Sequence, residues 1–236
     1  MSDDARRVAR GLKRYAEGLR AIEVRRVPRH RQASPPLPRA SAGGAKRDAL
    51  AALVKQVEVC QACSLYRTRT HAVVSDGDPD AKLVFIGEAP GRDEDLQGKP
   101  FVGAAGQLLT KMIEAMGFAR QDVYICNVLK DRPPGNRLPE PNEIEACLPF
   151  LEQQLAIVQP KVICLLGSVA AKAILGPHVA ITKVRGQVWD YHGTPVVPTF
   201  HPAYLLRNPP AKKFAWVDLK KVKRLLEEDR AIGGQP

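Results

Sequence analysis

Apolar residues along this chain follow two different spacings. Three short stretches, Lys82–Gly87, Val123–Leu129 and Val162–Gly167, are almost continuously apolar, the pattern of strands covered on both faces. Elsewhere the spacing lengthens to threes and fours. Leu50, Leu53, Val54 and Val57 predict a helix over Asp48–Cys60, and Leu108, Leu109, Met112, Ile113 and Met116 predict another over Gly103–Met116. Glu143–Val158, Ser168–Leu175 and Lys213–Glu228 read as further helices, and Trp189–Val197 as a hairpin turning at His192-Gly193. Strands alternating with helices predict an α/β fold: a three-layer α/β/α sandwich with a short, mainly parallel central sheet.

What this pattern does not absorb marks the candidate site. Between Gly87 and Pro100 lie three glycines, two prolines and four acids, in a connection far longer than the usual two to six or so residues. Ligands of open α/β sheets sit where such loops leave the carboxyl ends of strands. Two more residues reach the same edge. His201 ends the hairpin's second arm in Thr199-Phe200-His201-Pro202, and Asn127 interrupts the second apolar strand. A buried amide there costs stability unless backbone or ligand meets its hydrogen bonds.

The net charge of +11 over 236 residues points to nucleic acid, but its distribution changes the picture. Residues 1–47 hold thirteen Lys or Arg against four acids, a net of +9, which leaves +2 for the other 189 residues. The basicity belongs to an arm, not to the body. Within it Val8, Leu12, Tyr15, Leu19 and Ile22 form a helical stripe on a marginal basic helix over residues 5–24. Residues 27–45, rich in Pro, Ser, Ala and Gly, read as a disordered linker. The expected division is a basic arm over 1–46 and a folded domain over 47–230. No run approaches the roughly 18 apolar residues of a membrane-spanning helix, and no signal-peptide core opens the chain, so a cytoplasmic protein without a membrane partner is expected.

Five cysteines, at 60, 63, 126, 147 and 164, are an odd count that argues against a disulfide scaffold. Cys126 and Cys164 lie inside apolar strands and read as small buried hydrophobes. Cys60 and Cys63 sit at a helix end among polar neighbours and suit a C-x-x-C metal clamp, which needs two further ligands.

The segments GEAPGRDED, GKPFVGAAGQLL, NVLKDRPPGNR and HPAYLLRNP, with Cys60-x-x-Cys63 upstream and Cys147 between, resemble the iron–sulfur uracil-DNA glycosylases of family 4. The resemblance runs in order from Val57 to Leu226. It implies the uracil-DNA glycosylase fold over the folded domain and the start of base excision repair. The implied substrate is uracil-containing DNA, single- or double-stranded, met by a monomer associated with the nucleoid. A covalent uracil-binding relative is disfavoured, because no histidine occurs between His71 and His178.

The same resemblance assigns roles. Phe101 stacks on the flipped uracil, Asn127 reads its O4/N3 edge, and Glu94 crowds C5 so that a thymine methyl is excluded. His201 donates a hydrogen bond to uracil O2, Glu88 orients water or favours the cationic sugar, and the backbone at Ala89 contacts the base. Leu205 and Leu206 form the wedge that enters the duplex. Cys60, Cys63 and Cys147 hold a 4Fe-4S cluster. The usual loop reads K-C-R-P-P, so Asp131 stands where the remaining cysteine ligand belongs, which points to a 3Fe-4S form with Asp131 or solvent at the labile iron. Two alternatives stay open: a non-catalytic uracil- or DNA-binding relative of the same fold, and a zinc-stabilised hydrolase, weakened by the lack of a G-x-x-x-x-G-K-[ST] loop.

Overall fold

The computed structural model describes residues 24–26 and 44–233. Its centre is a run of four parallel strands: β3 (Leu83–Gly87), β4 (Tyr124–Asn127), β5 (Val162–Leu166) and β7 (Thr194–Thr199). Parallel pairing sets Gly87 opposite Asn127 and Leu166 opposite Thr199, so all four strands end at one edge. Three shorter strands complete a seven-stranded sheet: β1 (Val24–Arg26), β2 (Ser75–Gly77) and β6 (Val188–Tyr191), in the order β1-β6-β7-β5-β3-β4-β2. β2 and β6 run antiparallel to β4 and β7, so the sheet is mixed but mainly parallel in its core, as the apolar runs predict.

Side chains alternate across a strand, and this chain uses both faces. Val84 and Ile86 enter one core, against Leu50 and Leu53 of α1 (Gly44–Glu58), Leu151 and Leu155 of α4 (Pro141–Val158), and Ala171 and Ile174 of α5 (Gly167–Leu175). Leu83 and Phe85 enter the other. They meet Leu109 and Ile113 of α3 (Ala104–Ala115), and Leu219 and Val222 of α8 (Lys212–Gly233). Because both faces are covered, β3 and β5 are buried at every position, which explains why their sequences show no polar alternation.

Three expectations meet different outcomes. The helix expected from Asp48 begins at Gly44 and ends at Glu58, which leaves Cys60 and Cys63 beyond its end. Residues 5–23 of the expected basic helix lie outside the described residues, while Val24–Arg26 form a strand beside β6. The Gly87–Pro100 connection contains a helix, α2 (Arg92–Gln97). Its first turn holds Asp93, Glu94 and Asp95, favourable to the helix dipole, and Glu94 reaches back to the Gly91 amide. Among the described residues, no helix is long and apolar enough to cross a membrane.

Candidate active site

The carboxyl edge of the sheet brings three of the expected residues close together, Asn127 and Phe101 over Gly87 and Phe101 against His201. A Cβ on Gly87 would lie 2.3 Å from Asn127 Oδ1 and 2.4 Å from Phe101 Cζ, so only glycine lets the amide and the ring converge over the strand end. Asn127, the last residue of β4, is 1% exposed, and its Oδ1 has no hydrogen-bond partner. A buried acceptor left unpaired costs about 1–3 kcal/mol, and such a group is an exception that asks for a ligand with a donor. The strand end is held from behind. Buried Lys130 donates to the Asn127 carbonyl at 2.6 Å and to Gln154 Oε1 at 2.5 Å, and Gln154 donates to Tyr124 Oη at 2.9 Å.

Phe101 lies over this glycine with φ +55°, a conformation that L-residues rarely adopt. Glu94 supports it: Oε1 accepts the Val102 and Gly103 amides at 2.9 Å each, while Oε2 accepts Gly91 N at 3.0 Å. The Glu94 carboxylate is thus engaged with backbone on either side of the pocket loop. The Phe101 ring faces His201, with centroids 5.6 Å apart.

His201 caps α7 (Pro202–Arg207), its Nδ1 accepting the Ala203 amide at 3.1 Å. That bond fixes the tautomer, leaving the proton on Nε2. Burial, helped by the nearby Arg207 charge, pulls the imidazole down to about 4, so it is neutral at physiological pH. Gly167 makes room for it. At φ +91° it adopts a backbone that favours glycine, and a Cβ there would sit 2.9 Å from His201 Cβ. Glu88 follows β3 at the same edge, and burial raises its carboxyl above the usual range. Ala89, beside it, is partly buried against the core.

The two leucines after His201-Pro202 separate. Leu205 is 1% exposed and packs in the core with Phe200 and Ala215, so it is not available as a wedge; Leu206 is 43% exposed. Beside them runs a continuous row of rings and cations. Tyr204 packs on Phe200 (4.9 Å between centroids), Arg185 lies 5.3 Å from both the Phe200 and Phe214 rings, and Lys213 covers Phe214 at 5.0 Å. Arg185 is pinned by Asp218 at 2.6 and 3.0 Å, and Asp218 also accepts the Thr199 hydroxyl at 2.8 Å, two residues before His201. No local pattern announces Arg185, because its partners lie in a different helix and strand.

The proposed cluster ligands lie outside this pocket. Cys60 and Cys63 are partly exposed, Cys147 on α4 is buried, and burial pushes the Cys147 thiol up to about 11. Asp131 is 4% exposed, and Arg69 Nη1 approaches its two oxygens at 3.0 and 2.9 Å. Among the described residues, no group of three or more His, Cys, Asp or Glu is arranged to hold a metal ion. The carboxylate at the position expected for the fourth ligand is engaged by an arginine.

The family model of the uracil DNA glycosylase superfamily matches residues 74–220. A Type-4 uracil-DNA glycosylase of Thermotoga maritima is 46% identical over 179 residues, 74% of this chain and 93% of that protein. Another, of Sulfurisphaera tokodaii, is 46% identical over 187 residues, 75% of this chain and 85% of its own. A Type-5 uracil-DNA glycosylase of Pyrobaculum aerophilum is more distant, at 32% over 56% of this chain and 66% of its own.

Proposed function

The chain belongs to the uracil-DNA glycosylase superfamily, and we propose that it removes uracil from DNA with Asn127, Phe101 and His201 as the pocket that holds the base. It is a hydrolytic DNA glycosylase, related at about 45% identity to Type-4 enzymes. The observation that carries the pocket assignment is the buried, unpartnered Oδ1 of Asn127 under the Phe101 ring. Uracil offers a donor at N3 where cytosine offers an acceptor. Oδ1 therefore has a partner in the one base and a repulsive neighbour in the other.

Breaking the N-glycosidic bond leaves negative charge on the base and oxocarbenium character on the sugar. A neutral His201 whose Nδ1 is already occupied offers Nε2–H to uracil O2 as that charge grows, with no proton to move first. Glu88, raised by burial, is the carboxylate that orients water or favours the cationic sugar. Ala89 contributes backbone to the base. Glu94 acts by bracing the Phe101–Gly103 segment that closes the C5 side.

DNA, single- or double-stranded, lies along the edge outside the pocket. Leu206 is the wedge, and the Tyr204–Phe200–Arg185–Phe214 row offers stacking beside cations. Residues 203–217 carry Arg207, Lys212 and Lys213 and no acid. The segment over 1–46 adds positive charge for phosphates, in a monomer acting in the cytoplasm at the nucleoid. Type-4 enzymes as a family bind an iron–sulfur cluster. Here Cys60, Cys63 and Cys147 are the thiols left to hold one, and Asp131 is not the fourth ligand.

Incubation with an oligonucleotide containing one uracil tests the reading. Alkali-labile abasic product is expected from wild type, and none from a cytosine-containing control. Tight binding without product would favour a non-catalytic relative instead.

A further inference from the structure

Residues 58–73, which carry the Cys60-x-x-Cys63 pair, are fastened to the body by side chains at several points. Arg69 donates to both oxygens of Asp131 and to the Glu58 carbonyl at the end of α1. Thr70 donates from N and Oγ1 to the two oxygens of Asp95 in α2, at 2.8 and 2.9 Å. His71 Nδ1 lies 3.0 Å from the Asp95 carbonyl, and Val73 N donates to the Lys130 carbonyl at 2.8 Å. The segment thereby joins α1, the loop after β4 and the pocket helix that holds Glu94.

Asp131 stands where the resembling family has a cysteine that would tie this loop to Cys60 and Cys63 through iron. In this chain the two segments are tied directly. A carboxylate that turned to iron would abandon Arg69, a half-buried cation with a side chain 12% exposed, and leave it without its counter-charge. It would also be a hard oxygen donor on a soft site. The geometry favours the ion pair on both counts.

We propose that the Arg69–Asp131 ion pair is a metal-free fastening that takes the place of the missing cluster ligand. The fold around the pocket, and the uracil excision that rests on it, therefore do not depend on iron.

The test uses the full chain purified anaerobically, with iron counted and the visible spectrum recorded. Half of the preparation is then stripped with ferricyanide and EDTA. The expected result is that both halves melt within about 2 °C of each other and excise uracil at single-turnover rates within about twofold. A preparation that arrives without iron and still excises supports the proposal equally. A stripped protein that melts on the order of 10 °C lower, or excises tenfold more slowly, overturns it. Asp131→Asn, which keeps the shape and removes the charge, should lower the melting temperature of the iron-free protein by about 10 °C, as breaking a buried pair does in a chain of this size. An unchanged melting temperature in that variant also overturns the proposal. Asp131→Cys should reverse the dependence, gaining stability when iron and sulfide are restored; no such gain counts against the assignment of position 131. Absence of excision by wild type with or without iron would speak against the glycosylase reading, while the melting data would still decide on the fastening.

Discussion

His201 ties a measurable pH profile to a measurable stability change. Burial holds its folded-state pKa at about 4, against 6.5 for an unperturbed imidazole. A base that is harder to protonate in the folded than in the unfolded state weakens the fold as pH drops through that interval. Above pH 6.5 both states are neutral and nothing is lost. Below pH 4 both are charged and the whole penalty stands. At about 1.4 kcal/mol per unit, the gap from 6.5 to about 4 is worth at most about 3.5 kcal/mol, and about 2–3 kcal/mol once surface left solvated is allowed for. Most of it is already felt at pH 4.5.

The measurement is urea unfolding of wild type and His201→Asn at pH 7.5 and pH 4.5. Asparagine still caps the helix, so the two proteins should be similar at pH 7.5. At pH 4.5 the variant should be the more stable by about 2–3 kcal/mol. Excision should follow the same titration. Protonating Nδ1 would set a donor against the Ala203 amide, so in Glu88→Gln, where the raised Glu88 carboxyl no longer titrates, the acid limb of the residual kcat/KM should fall between about pH 4 and pH 5. An acid limb near 6.5, or parallel losses of stability in the two proteins, would refute the argument that burial keeps this imidazole neutral.

Asn127→Ala should lower single-turnover excision roughly a hundredfold, by removing the acceptor that uracil N3–H needs, while the melting temperature barely moves because an unpaired buried group is lost with it. Wild-type rates in that variant would take Asn127 out of the pocket. Gly87→Ala should abolish excision, since its Cβ would occupy space held by Asn127 Oδ1 and the Phe101 ring, and a variant that folds by circular dichroism yet excises normally would disprove that crowding. Leu205→Ala should cost about 2–5 kcal/mol of stability, whereas Leu206→Ala should cost under about 0.5 kcal/mol and slow excision from duplex more than from single strands; equal losses on both substrates would argue against a wedge. Deleting residues 1–23, which spares the β1 strand, should weaken DNA binding and flatten its salt dependence without altering base preference, and an unchanged slope of log K against log salt would show that the segment does not meet phosphate.

The central strands were legible because burial on both faces demands unbroken apolar runs, and Asn127 and His201 were legible because they interrupt or end those runs. The helix Arg92–Gln97 was not. Its signals are caps and a dipole-matched acidic turn, and glycine and proline on either side read as loop. Ser75–Gly77 is polar and three residues long, so only its pairing with β4 makes it a strand. Leu205 and Leu206 are adjacent and chemically alike, and only the orientation of a short helix separates core from surface. Arg69 meets Asp131 across 62 positions, a distance over which no periodicity carries information.

The pocket concentrates groups that are costly where they stand: an orphaned amide oxygen, a buried lysine behind it, and a phenylalanine at positive φ. Each is tolerated because neighbouring bonds leave it no alternative. Lys130 is held by the Asn127 carbonyl and Gln154, and Phe101 by the amides that Glu94 gathers on its C-terminal side. The Thr199 hydroxyl is bound to Asp218, which Arg185 neutralises, so the strand leading to His201 is fixed from the opposite layer. Strain and unpaired polarity of this kind persist only where the surroundings over-determine them. They leave the Asn127 Oδ1 acceptor and the His201 Nε2–H donor, the groups proposed to meet the base, oriented in advance. In the proposed reaction, where charge develops on the leaving base, such ordering lowers the barrier because fixed dipoles need no reorganisation at the transition state.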